Sequence, residues 1–279
     1  MAVVGCPVPS INYRAMCLIL FSYAQHPRYK LILAANRDEF LERSTAPAGF
    51  WEAHPHVLAG RDVKAGGTWM GVTKNLRFAA ITNYRDPSAE KKDAPTRGRL
   101  VLDFLAGSAA PATYLQTLQK SAGDYNGYNL LVGDERGLWY YSNRENIVRE
   151  VSPGLYGLSN HLLDTAWPKV TKGKSRLKTA IDADDLKSPT LLDVLCDTQQ
   201  AADAELPQTG VPLDWERMLS PMFIETPNYG TRASTVLLVE YDGRVSFVER
   251  TVHPRNSNDD EVHYTFVGAS DMQHHDKEM

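Results

Sequence analysis

Residues 16–39 read MCLILFSYAQHPRYKLILAANRDE. Two apolar runs, CLILFSY and YKLILAANRD, flank the short turn AQHPR with its Pro27. That pattern predicts an antiparallel hairpin. The second run ends abruptly at Asn36, Arg37, Asp38 and Glu39, where apolar residues give way to dense charge.

The same strand signal recurs along the chain. GGTWMGVT and LRFAAITNY flank the turn KNL, so four strands are expected before residue 85. GYNLLVGDERGLWYYSN turns at DERG, and NIVREV and GLYGLSN follow. ASTVLLVEYDGRVSFVERTV folds about Asp242-Gly243, a pair suited to a tight hairpin, and VHYTFV adds a strand. Between these the period changes. Leu100, Val101, Phe104 and Leu105 recur at helical spacing, and PATYLQTLQKSA continues behind a helix-starting proline, which gives two helices to cover one sheet face. Further helices are expected around Trp167–Ile181, Thr190–Thr198 and Trp215–Phe223. Antiparallel strands with inserted helices predict α+β layers and not a doubly wound parallel sheet; no Gly-rich phosphate loop follows any strand.

Composition excludes several classes of function. The 279 residues are 43% hydrophobic and 23% charged with a formal net charge of -4, an ordinary globular balance without a nucleic-acid footprint. No apolar run approaches the roughly 20 residues of a membrane span. Arg14 follows the N-terminal apolar stretch instead of leading it, which argues against a signal peptide and for a cytoplasmic protein. Cys6, Cys17 and Cys196 are too few and too scattered for a disulfide framework or a zinc cluster. His54 and His56 have H-x-H spacing but no third ligand nearby, so no metal is expected. Trp69, Tyr84, Trp139 and Tyr140 read as core or pocket wall.

Chemistry is expected at the strand ends. Arg37, Asp38 and Glu39 close one strand, Asn83 and Asn160 each end another, and Arg232 opens a late one. The Met16-Cys17 pair has two readings. Cys17 is a small thiol packed in a strand, or Met16 is a start or cleavage point that leaves Cys17 as the first residue.

MCLILF, the tetrapeptide NRDE, GGTWMGVT, ITNYRDP and YGLSN, in this order from Met16 to about residue 250, resemble the NRDE-motif family, also called the transport and Golgi organisation protein 2 family. The resemblance implies an N-terminal nucleophile hydrolase fold, a four-layer αββα sandwich of antiparallel sheets. It also implies a division into residues 1–16 as leader or misassigned start, 17–267 as one domain and 268–279 as a flexible tail. A weaker similarity, to choloylglycine hydrolase and penicillin V acylase, implies a site made of Cys17, Arg37, Asp38, Asn83, Asn160 and Arg232 converging on one cleft. In those acylases the aspartate stands three residues after the arginine. Here it is adjacent, so Glu39 competes with Asp38, and Asn129 in YNLLVG competes with Asn160.

Such a site needs no histidine. An α-amine, with a pKa of about 7.7–8.0, takes the proton of a thiol with a pKa of about 8.5 and later returns it to a leaving amine. The implied activity is hydrolysis of a non-peptide C–N bond in a small acylated amide, with no cofactor. The family's association with haem mobilisation implies the alternative of a haem carrier on the same scaffold. Cys6-Pro7, a dipeptide sometimes met where haem binds, reads as accidental in a dispensable leader.

Overall fold

The computed structural model describes residues 16–253 and 259–269. The expectations for residues 1–15, Cys6 among them, and for the tail from residue 270 lie outside the described residues. The strands β1 (Met16–Tyr23) and β2 (Tyr29–Phe40) form the predicted hairpin, pairing Phe21 with Leu33, Cys17 with Arg37 and Met16 with Asp38.

The chain then crosses into a seven-stranded antiparallel meander. Its strands are β3 (Thr45–Trp51), β4 (His54–Asp62), β5 (Met70–Thr73), β6 (Phe78–Asn83), β7 (Tyr128–Gly133), β8 (Leu138–Ser142) and β9 (Ile147–Glu150). Helices α1 (Gly98–Ala106) and α2 (Pro111–Gln119) interrupt it before β7. Strand β10 (Gly154–Leu158) returns to pair with β1, and α3 (Pro168–Asp182), α4 (Ser188–Val194) and α5 (Leu213–Met218) follow. With β11 (Tyr229–Glu240), β12 (Arg244–Thr251) and β13 (Asp260–Val267), the first sheet has six strands in the order β10-β1-β2-β11-β12-β13.

Side-chain alternation along the strands builds three apolar layers. Ile19, Phe21, Leu33 and Phe247 of the first sheet meet Leu58, Val72, Leu131 and Tyr140 of the second. On its other face the first sheet turns Leu18, Leu20, Ile32 and Val236 toward Val170 and Leu177 of α3 and Leu191 of α4. The second sheet turns Val57, Ala79 and Leu130 toward Val101, Phe104 and Leu105 of α1. The layers therefore run helix, sheet, sheet, helix, as the α+β, αββα reading expects. Both faces of β1 and β2 are buried, which is why their sequences read as unbroken apolar runs. Truncating the fully buried Phe21 to alanine is expected to cost about 3–5 kcal/mol.

Several elements depart from expectation. Strands β3 and β4 are additional; β3 holds Pro47 and a register shift between Ala46 and Gly49, and β4 begins His54-Pro55-His56, so neither shows clean alternation. The stretch before Met70 is not strand, because Gly67 presses on Gly98. A Cβ on Gly67 would lie 2.5 Å from the Gly98 carbonyl carbon. Helix α5 stops at Met218 and not at Phe223, since Pro221 disfavours helical backbone before it. No helix among the described residues is long and apolar enough to cross a membrane.

Candidate active site

The register of the first hairpin sets Cys17 and Arg37 side by side on the face of the first sheet that looks toward the second. There the space between the sheets opens into a cleft of about 960 Å³, with Cys17, Arg37, Glu39, Asn83, Arg232 and Glu249 on its wall. Cys17 is only 3% exposed, so it forms the floor. Arg37 Nη2 donates to Glu39 Oε2 at 3.4 Å, whereas its buried Nη1 has no hydrogen-bond partner. Glu39 is already committed: its Oε1 accepts from the Phe40 amide at 2.9 Å and its Oε2 faces Arg43 at 3.4 Å.

Arg232 sits in an irregularity of β11. Thr231 pairs with Asp38 and Ala233 with Arg37, so one extra residue is inserted opposite that junction. Its Nη1 donates to the carbonyls of Phe40, Leu41 and Arg43, at 3.0, 3.0 and 3.1 Å, and fixes the chain as it leaves β2.

Two of the six predicted residues do not line the cleft. Asp38 follows Arg37, so alternation turns it to the helix-covered face, as it turns Asn36, whose Nδ2 donates to the carbonyls of Leu195 and Met222. There Asp38 Oδ1 accepts from Thr231 Oγ1 at 2.7 Å, and its buried Oδ2 has no partner. Asn160 lies just past β10. Ile19 pairs with Leu158, so two further residues bring Asn160 alongside Cys17, and Ser159 Oγ donates to the Cys17 carbonyl at 3.0 Å. One Nδ2 hydrogen of Asn160 is given to the Asn83 carbonyl at 3.0 Å. Asn129 spends both Nδ2 hydrogens, on Thr82 Oγ1 and the His161 carbonyl, while its Oδ1 accepts from Tyr140. It keeps no donor for a substrate.

The family model for Transport and Golgi organisation 2 matches residues 16–254, almost the whole of the chain. The chain belongs to the transport and Golgi organisation 2 family. The bovine protein named transport and Golgi organization protein 2 homolog is 37% identical over 260 residues, covering 85% of this chain and 93% of its own. The human protein of the same name is 36% identical, with the same coverage of 85% and 93%. Among solved structures, a Caenorhabditis elegans N-acylethanolamine-hydrolyzing acid amidase ortholog covers 80% of this chain and 92% of its own, at 10% identity and a TM-score of 0.36.

In this member of the transport and Golgi organisation 2 family, burial around Cys17 shifts the thiol, Asp38 and Tyr229 toward their uncharged forms. Burial, seconded by Asp38, pushes the Cys17 thiol up to about 12, and Arg37 offsets only part of that. Burial raises Asp38 to about 6 against the pull of Lys169, the Thr231 hydroxyl and Arg37. The Met16 amide donates to Tyr229 Oη at 2.9 Å, and that phenol is itself held well above its ordinary range by burial and by Asp38 and Glu39.

Sequence reasoning missed the groups behind β1: Lys169, Arg85, Glu216, Tyr229 and Thr231. Arg85 and Glu216 form a buried ion pair, and the Arg85 guanidinium lies 4.7 Å from the Trp167 ring centre. One signal was available. Lys169, Gly173, Leu177 and Ala180 fall on the buried stripe of α3, so a lysine occupies an apolar position. Among the described residues no group of three or more His, Cys, Asp or Glu side chains is arranged to hold a metal.

Proposed function

We propose that this protein is an N-terminal cysteine amidohydrolase acting on a non-peptide C–N bond of a small acylated amide, once Cys17 has become the first residue. The observation that carries the reading is the placement of Cys17. Its thiol floors the cleft beside Arg37, while the strand register pairs Asp38 with Met16, the residue just before Cys17.

In the proposed reaction the thiol sulfur adds to the amide carbonyl and its proton passes to the α-amine of Cys17. Arg37 favours the thiolate, and Asp38 holds the amine by a charge-assisted hydrogen bond. The tetrahedral oxyanion takes an amide hydrogen from Asn83 on the cleft wall, where loss of one donor costs about 10²–10³ in rate, and Asn160 behind the wall holds the Asn83 backbone. The C–N bond breaks as the α-amine returns the proton to the leaving amine, and a thioester remains on Cys17. Water then adds to the thioester, giving its proton to the α-amine, and the acid departs as the thiol re-forms. Arg232 braces this end of the cleft through the three carbonyls that it holds.

The competing reading, a haem carrier, needs an axial ligand of the His, Cys, Met or Tyr type. Among the described residues on the cleft wall, Cys17 alone is of such a type, whereas Arg37 and Asn83 beside it are groups that acyl transfer uses and haem ligation does not. The donor set therefore favours acyl transfer. Incubation with an acyl-amide library followed by intact-mass analysis tests the choice. The acyl mass on Cys17, lost in Cys17→Ala, is the expected result. No adduct, together with a saturable Soret change that a control protein of similar charge does not give, would transfer the function to haem carriage.

A further inference from the structure

Behind β1, away from the cleft, a set of buried charged side chains surrounds Met16. Arg85 Nη2 lies 3.8 Å from the Met16 sulfur, Tyr229 Oη accepts from its amide, and Asp38 is its cross-strand partner. Leu219, Ile224 and Tyr229 pack about it. Lys169 enters this space from the first turn of α3, between Trp167 and Val170, which pack in one core with Leu18 of β1. Three groups here each leave a buried atom without a hydrogen-bond partner: Asp38 Oδ2, Lys169 Nζ and Arg85 Nε. A chamber built only to seat a methionine side chain has no use for such atoms, because an unpaired buried polar atom costs about 1–3 kcal/mol.

Charge bookkeeping gives them a use. The ionisable groups around the chamber are Asp38 on β2, Arg85 beyond β6, Lys169 on α3, Glu216 on α5 and Tyr229 on β11, while Cys17, Arg37 and Glu39 lie on the cleft side of the same strands. Arg37 pairs with Glu39, and Arg85 with Glu216. Asp38 and Lys169 are left to balance one another. Cutting the chain before Cys17 adds an amine where Met16, the cross-strand partner of Asp38, was joined. With Asp38 alone, the carboxylate would favour the ammonium form and spoil the amine as a base. With Lys169 present the chamber is already neutral, and an ammonium would add an unbalanced buried charge.

We propose that Lys169 is a positioning residue for the mature chain end: facing Asp38 behind Cys17, it balances that carboxylate and keeps the α-amine unprotonated near neutral pH. The inference rests on the proposed N-terminal role of Cys17, but its test requires no turnover.

Protein that begins at Cys17, verified by intact mass and labelled with ¹⁵N-cysteine, presents one α-amine whose shift is followed against pH. Lys169→Met is expected to raise the midpoint so that the neutral fraction at pH 7 falls about tenfold, one pKa unit. Lys169→Arg should restore it, and Asp38→Asn should move it down. Lys169→Gln replaces the methionine variant if that does not fold. An unchanged midpoint in a folded neutral variant would overturn the proposal, as would failure of both neutral variants to fold while Lys169→Arg folds, which marks a purely structural lysine. A normal amine response with no acyl adduct would instead sink the hydrolase reading and leave the role of Lys169 standing.

Discussion

Asn160 and Asn83 tie the two sheets together next to Cys17: Asn160 Nδ2 donates to the Asn83 carbonyl at 3.0 Å, and the Arg85 amide returns a bond to the Asn160 carbonyl at 2.7 Å. The backbone of Asn83, whose residue lines the cleft, and the buried Asn160 are thus held in one inter-sheet link. Asn160→Ala leaves the Asn83 carbonyl without this donor inside a buried site, and the expected loss is about 1–3 kcal/mol in urea denaturation. A loss within experimental error would show that the link is not made in solution.

The state of Cys17 depends on what precedes it. While Met16 is attached, burial and Asp38 hold the thiol at about 12, so at pH 8 it is almost entirely protonated. Iodoacetamide should then alkylate Cys17 on the order of 10³-fold more slowly than an unperturbed cysteine of pKa about 8.5. The exposed Cys196, whose thiol is also raised, supplies an internal comparison. Peptide mapping after timed alkylation reads both sites. Protein beginning at Cys17 should react faster there, and equal rates for the two forms would remove the α-amine from the account.

The sequence made the hairpin of β1 and β2 legible because both faces of those strands are buried and the turn between them is polar and carries Pro27. Asn83, Asn160 and Arg232 were visible for a related reason, as abrupt polar residues at the ends of apolar strands. Two things were hidden. Strands β3 and β4 escaped because Pro47, Gly49 and Pro55 break the alternation that marks a strand. The face that Asp38 takes was hidden as well: which of Arg37, Asp38 and Glu39 points at the cleft is fixed by register with β1, and register is a property of pairs of strands. Lys169 and Glu216 meet Asp38 and Arg85 only through packing of helices remote in sequence, and no local pattern announces that.

The Arg85–Glu216 pair is buried on both sides, and Glu216 Oε1 also accepts from the Thr209 amide and hydroxyl. Removing one member strands the other charge. Glu216→Ala or Arg85→Ala is therefore expected to cost about 3–5 kcal/mol, whereas Arg85→Met with Glu216→Leu should cost less than either. Equilibrium denaturation of the two single variants and the double variant checks this. Additive losses in the double variant would show that the two side chains act independently.

Asp38 gives the clearest dependence on pH. Burial raises its folded-state pKa to about 6, above the unfolded carboxylate at about 3.9. The folded protein therefore holds this proton more tightly than the unfolded chain does. The stability that this provides is fully present below about pH 4 and is lost as pH rises through about 6. Asp38→Asn keeps an acceptor for the Thr231 hydroxyl and has no carboxyl to ionise. Relative to the parent it should be near neutral at pH 4 and more stable above pH 6, by up to about 3 kcal/mol from the two-unit shift. Lys169, lowered by burial to about 8, loses its own penalty only between about 8 and 10.5, outside that window. Urea denaturation of both proteins at half-unit steps from pH 4 to 7.5 traces the difference. A difference that stays flat across that range, or that narrows as pH rises, would mean that Asp38 is already ionised at pH 4 and that Lys169 compensates it fully.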